Sequence, residues 1–149
     1  LFTGRVQARV VDDHAGLLPF VALPLLYSQQ WLFSSAALLQ LYLLYSALIL
    51  GFMAGVLWPV LYQPPSPVNR HNMALLAVGF PVLSIVGLML GSAHFLLLQA
   101  LLFLLLRLAE YLSQINQHYS ASYRGLRNQL TLIVSASHIL LYSLINTPP

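Results

Sequence analysis

The sequence predicts an all-α fold: an integral membrane bundle of five transmembrane helices, with the N-terminus inside and the C-terminus outside. Three observations predict it. The chain has 149 residues, is 59% hydrophobic and is only 6% charged, a composition outside the range of soluble domains. Its apolar residues come in long runs, and a bilayer core of about 30 Å takes roughly 20 of them per helix. Lipid offers the backbone no hydrogen bonds, so such runs cross as helices. Finally, arginine is confined to alternate connections, as the positive-inside bias requires.

The spans fall at about 15–33, 37–62, 73–91, 93–112 and 130–146, within a single domain covering 1–149. Pro19 and Pro24 interrupt the first, and a bend is expected there because membrane helices tolerate proline when neighbours satisfy the freed carbonyls. Arg5 and Arg9 precede span one, "QPPSPVNRHN" with Arg70 joins spans two and three, and "SQINQHYSASYRGLRNQ" with Arg124 and Arg127 joins spans four and five. The remaining connections and the tail "NTPP" carry no arginine. Five spans put every loop arginine on one side, the cytoplasm or the mitochondrial matrix. Tyr27, Trp31, Tyr42 and Tyr142 then lie near outer ends and Trp58, Tyr62, Tyr111, Tyr119 and Tyr123 near inner ones, as interfacial belts. No internal repeat of the transporter kind is present, since five spans do not divide into equal halves.

Composition also excludes function classes. There is no cysteine, so disulfides, thiolate metal sites and thiol nucleophiles are ruled out. Six arginines stand against Asp12, Asp13 and Glu110 with no lysine, too few charges for a nucleic-acid surface. The first residues lack the pattern of a secretory signal, and the opening without Met suggests a fragment.

In "LLYSALILGFMAGVLWPV", Ala47, Gly51 and Gly55 recur every four residues, and Gly87 with Gly91 forms a shorter pair. Small residues at this spacing let membrane helices approach closely, so these five are expected to be helix-packing positions. "AGLLPF", "YSALILGFMAGVLW" and "YRGLRNQLTLIV" resemble a family of small bacterial and mitochondrial membrane proteins that includes vertebrate transmembrane protein 69 and whose function is uncharacterised. The resemblance runs from about Ala15 to Asn146. It implies signature positions at Tyr45, Ala47, Gly55, Trp58, Tyr123, Arg124, Leu126, Arg127 and Thr131. Ala54 and Pro59 stand where the family pattern has glycine. The resemblance implies a fold but no activity.

Four polar residues at membrane depth are candidate polar or ligand contacts: His138, Gln99, Arg107 and Glu110. His138 lies near the middle of span five, with Gln99 or Ser84 as expected hydrogen-bond partners. Arg107 and Glu110, three apart, share a helix face and are expected to pair, with Arg107 snorkelling to the inner interface. Only His94 offers a second intraspan histidine for a haem, and it lies about 12 Å from mid-membrane at 1.5 Å per residue, so no haem is expected. Asp12, Asp13 and His14 are adjacent and point in different directions, so no metal site is expected either. The connection between spans four and five is the expected docking surface, with Tyr119, Tyr123, Arg124 and Arg127 as anchors.

These readings converge on a non-catalytic accessory or scaffold subunit, without cofactor, packing against other membrane protein subunits in a bacterial or mitochondrial inner membrane. The alternative is a small carrier or binding protein for a lipid, quinone or ion using His138, Gln99 and Arg107. An enzyme comes third.

Overall fold

A computed structural model describes residue 15 and residues 17–29, 34–64, 70–91 and 93–147. They form α1 (Leu18–Gln29), α2 (Ser35–Gly55), α3 (Leu57–Leu61), α4 (Arg70–Met89), α5 (Phe95–Leu112), a short 3-10 turn (Ile115–His118) and α6 (Ala121–Asn146). No strand occurs among the described residues. Counting α3 as the continuation of α2, five helices make the bundle, and four are long and apolar enough to cross a membrane. The exception is α1. Its 12 residues reach about 18 Å at 1.5 Å per residue, short of a hydrocarbon core of about 30 Å.

Prolines explain the irregularities. Pro59 has no N–H to give the carbonyl four residues back, at Gly55, and its ring crowds that carbonyl. The helix accordingly breaks between Gly55 and Leu57. Pro24 and Pro81 sit inside α1 and α4 without ending them. Serine sets two helix starts: the Ser34 hydroxyl accepts from the Ala37 N–H at 3.3 Å, and the Ser120 hydroxyl accepts from the Tyr123 N–H at 3.2 Å.

The cap at Ser120 corrects the last span. It begins at Ala121 rather than near residue 130, so Tyr123, Arg124 and Arg127 lie on its first two turns and the connection shrinks to residues 113–120. Of the residues in the connection expected to dock a partner, Tyr123, Arg124 and Arg127 thus belong to the helix and Tyr119 to the short segment before it.

The helices close into a ring. α1 packs on α2 and α6, α2 on α4 and α5, α4 on α5, and α5 on α6. Phe20 of α1 is fully buried at the centre, with its ring 5.7 Å from that of Tyr42, 6.4 Å from Phe103 and 5.9 Å from His138. The outer faces are apolar: Leu75, Val78, Val82 and Ile85 on α4 and Leu101 and Leu108 on α5 are exposed, as lipid-facing side chains would be. Trp58, Tyr62 and Tyr111 are exposed near helix ends, whereas Tyr42 and Tyr119 are buried and belong to the core rather than to a belt. Trp31 lies outside the described residues, as do Arg5, Arg9, Asp12, Asp13 and His14.

The small-residue face behaves differently from expectation. A Cβ added at Gly51 or Gly55 would meet nothing within 4 Å, so no backbone of the described residues approaches there, and Ala47 beside them is half-buried. Gly91 is also open and serves a conformational need, with φ at +64° just after α4. Gly87 is the tight contact: a Cβ there would stand 2.6 Å from Phe95 Cδ2 and 2.9 Å from Leu98 Cδ2, where α4 crosses α5.

Candidate functional site

Two buried polar knots and one open groove organise the polar side chains. The first knot is centred on His138, fully buried on α6. Its Nδ1 lies 2.7 Å from the Val134 carbonyl and 3.1 Å from the Tyr42 hydroxyl, and its Nε2 lies 2.6 Å from the Ser46 hydroxyl. A neutral ring protonated on Nδ1 satisfies this set: Nδ1–H donates to Val134 and Nε2 accepts from Ser46. The Tyr42 hydroxyl also hydrogen-bonds Ser137. The partners expected for His138 bond each other instead, with Ser84 Oγ donating to Gln99 Oε1 at 2.9 Å, leaving Gln99 Nε2 buried without a partner. The tyrosine and serine of α2 reach the ring because Tyr42 and Ser46 are four apart and share a face.

The second knot lies at the end of the bundle where α2 and α5 finish and α6 begins. Glu110 is fully buried on α5 and accepts from two arginines. Arg107 Nη1 donates to its Oε2 at 2.7 Å, and Arg127 donates from Nε to Oε2 at 3.1 Å and from Nη2 to Oε1. Arg127 further donates from Nη1 to the Tyr123 hydroxyl at 3.2 Å and from Nη2 to the Met53 carbonyl at 3.3 Å. That last bond caps the C-terminal turn of α2 with a cation, the favoured charge at that end. The guanidinium also faces the rings of Tyr119 and Tyr123 at 5.4 and 5.7 Å. Arg107 donates from Nε to Asn128 Oδ1 at 2.6 Å and from Nη1 to Asn116 Oδ1 at 2.5 Å. The expected pairing of Arg107 with Glu110 is therefore present, but both side chains are buried in a network rather than reaching the interface. Tyr119 is enclosed beside it with its hydroxyl unpartnered; burial, and then the Glu110 charge, pushes its phenol above the usual range.

This geometry bears on the residues expected to dock a partner. Arg127 is 2% exposed and Tyr119 is buried, both committed to the knot; Tyr123 is half-buried and bonded to Arg127. Of the four, only Arg124 is exposed.

Between α5 and α6 lies an open groove of about 340 Å³ lined by Leu104, Arg107, Leu108 and Tyr111 of α5 and Asn128, Thr131 and Leu132 of α6. Spacings of three and four residues put each set on one helix face. The groove is apolar apart from Arg107, Asn128, Thr131 and the Tyr111 hydroxyl. Thr131 is 3% exposed and its hydroxyl has no partner. Sequence reasoning missed Asn116, Asn128, Tyr42, Ser46 and Ser137. The available signal was the i, i+4 recurrence of polar residues at Tyr42/Ser46 on α2 and at Tyr123/Arg127/Thr131 on α6. Among the described residues, no three His, Asp or Glu side chains stand close enough to hold a metal ion.

No curated protein and no solved structure matches the chain. Residues 13–143 match the family described as Protein of unknown function (DUF3429), which covers both knots and the groove. An apolar helical bundle with a sequence matched over most of its length thus places the chain in that uncharacterised family, to which it belongs.

Proposed function

We propose that this protein is a non-catalytic multi-pass membrane protein that binds an amphiphile in the groove between α5 and α6. The observation that carries the reading is the groove itself: an apolar trough that opens outward from the bundle and has a buried arginine and an unpartnered threonine hydroxyl in its wall. Ligand sites combine such apolar lining with a few placed polar groups, and they form readily between helices of bundles. The His138 knot does not supply a comparable site, because its described hydrogen bonds close on themselves. The accessory-subunit reading draws on less, since three of its four expected docking residues are turned inward or bonded within the fold.

The resemblance to the family that includes vertebrate transmembrane protein 69 fits a bacterial or mitochondrial inner membrane. So does the gathering of Arg70, Arg107, Arg124 and Arg127 at one end of the bundle. The test is retention of lipid-like molecules through purification. Mass spectrometry of the protein extracted in mild detergent should find an amphiphile near one per chain. Leu132→Trp, which fills the groove from a largely lipid-exposed position, should lose it. Leu140→Trp, exposed on the same helix outside the groove, should keep it. Equal retention by both variants would remove the groove as the site.

A further inference from the structure

We propose that the head group taken by this groove is the phosphate of an anionic membrane phospholipid, seated at Arg107 with its acyl chain directed past Leu104 and Leu132. The proposal rests on the reading of the groove as an amphiphile site and adds the chemistry of the ligand.

The argument begins with charge. Glu110 is the only acidic side chain among the described residues, and it is shared by two guanidiniums, so the knot carries one uncompensated positive charge. Burying an unpaired charge is costly, and an anion within reach relieves that cost. The two arginines are not equally free to meet one. All three nitrogens of Arg127 are engaged, and two tyrosine rings lie against it. Arg107 uses Nε and Nη1, leaves Nη2 without a partner among the described residues, and forms part of the groove wall. The excess charge is therefore open to a ligand at Arg107.

Two further donors stand beside it. Asn128 accepts from Arg107 through Oδ1, and its Nδ2 has no partner among the described residues. Thr131, in the groove wall, has a buried hydroxyl without a partner among the described residues. Guanidinium, amide and hydroxyl together suit a group with several acceptor oxygens, as a phosphodiester has.

Depth supplies the orientation. Arg107 stands five residues before the end of α5, about 7.5 Å in from the terminus at 1.5 Å per residue. Leu104 and Leu132 lie about one turn deeper, at about 4.5 and 6 Å beyond Arg107 and Asn128 respectively. Arg107 and Asn128 lie nearer that end than Leu104, Thr131 and Leu132, which orients a phospholipid with its phosphate toward the end of the bundle and its chain inward. Arg70 and Arg124, exposed at the same end of the bundle, disfavour a head group that carries its own cation.

The experiment follows thermal melting of the detergent-purified protein titrated with dioleoyl phosphatidylglycerol, dioleoyl phosphatidylcholine, oleate and inorganic phosphate. Phosphatidylglycerol should raise the melting temperature with a half-saturating concentration at least tenfold below that of phosphatidylcholine, and oleate and inorganic phosphate should not reproduce the shift. Thr131→Val should weaken the phosphatidylglycerol response several-fold without lowering the lipid-free melting temperature, and Thr131→Ser, which restores the hydroxyl, should recover it. Leu132→Trp should abolish the response. Equal responses to the two phospholipids, both lost in Leu132→Trp, would overturn the head-group assignment and leave the amphiphile site standing. A response to oleate equal to that of phosphatidylglycerol would replace the phosphate by a carboxylate, and a full response to inorganic phosphate would replace the lipid by a free anion; each overturns the proposal. Responses unchanged in Leu132→Trp would overturn both the head-group assignment and the groove.

Discussion

Glu110 is the residue on which the arginine-bearing end of the bundle depends, because it is a fully buried carboxylate whose two oxygens take donors from α5 and α6. Paired buried charges of this kind contribute little net stability relative to an apolar replacement of the whole set. Removing one partner is different: it leaves the others buried and uncompensated. Glu110→Gln strands two guanidiniums and should destabilise by about 3–5 kcal/mol, read as a lowered midpoint of unfolding in detergent. An unchanged midpoint would mean that the arginines reach water or lipid phosphate without it. Only part of this knot was legible in the sequence. The three-residue spacing of Arg107 and Glu110 announced that pair, but Arg127, seventeen residues beyond Glu110, joins it through tertiary packing that no local spacing encodes. His138 shows the same limit: its depth in span five marked it as a buried polar group, yet its partners Tyr42 and Ser46 sit more than ninety residues away.

At the scale of elements, what decides packing is whether a backbone actually meets a neighbour, not whether small residues recur. Gly87 faces the Phe95 ring at a distance that leaves no room for a side chain, so Gly87→Val should cost about 1–3 kcal/mol, as overpacking of a filled core does. Gly55→Ala, in open space on a helix, should be neutral or stabilise by about 0.5–1 kcal/mol, since alanine has the higher helix propensity. Comparable losses of melting temperature in the two variants would show that α2 meets another chain through the Gly55 face. The spacing did not separate Gly87 from the open Gly51, Gly55 and Gly91, because i, i+4 small residues define a smooth face but not its occupant. Hydropathy marked stretches within a few residues of α2 with α3, α4 and α5, since apolar runs mark their limits. It missed the first turns of α6, where "ASYRGLRNQ" is polar. The Ser120 cap was the overlooked start signal, and those polar turns are helical because they face Glu110 and the end of α2. The short α1 shows the converse, since apolar character suggested a span where the described helix has only 12 residues.

The whole molecule has two unlike ends. α2 finishes, α4 starts, α5 finishes and α6 starts at one of them, with Arg70, Arg107, Arg124, Arg127 and the Glu110 knot. The other holds Ser34, Gly91, Ala93 and Thr147, with no arginine among its described residues. Such asymmetry orients multi-pass proteins with the arginine-bearing end toward the cytoplasm or matrix. On the proposed reading, the α5–α6 groove would open to the leaflet at that same end, because Arg107 lies near it. Four crossings by α2 with α3, α4, α5 and α6 require Gln63 and Arg124 to share one aqueous side and Ala93 and Thr147 to share the other. The chain has no cysteine, so single cysteines at these four positions report without background. In intact cells or right-side-out vesicles, a membrane-impermeant maleimide should label Ala93→Cys and Thr147→Cys, and it should label Gln63→Cys and Arg124→Cys only after permeabilisation. Labelling of Gln63→Cys together with Ala93→Cys before permeabilisation would remove α4 as a crossing helix, and with it the shared end that brings Arg70 toward Arg107 and Arg127.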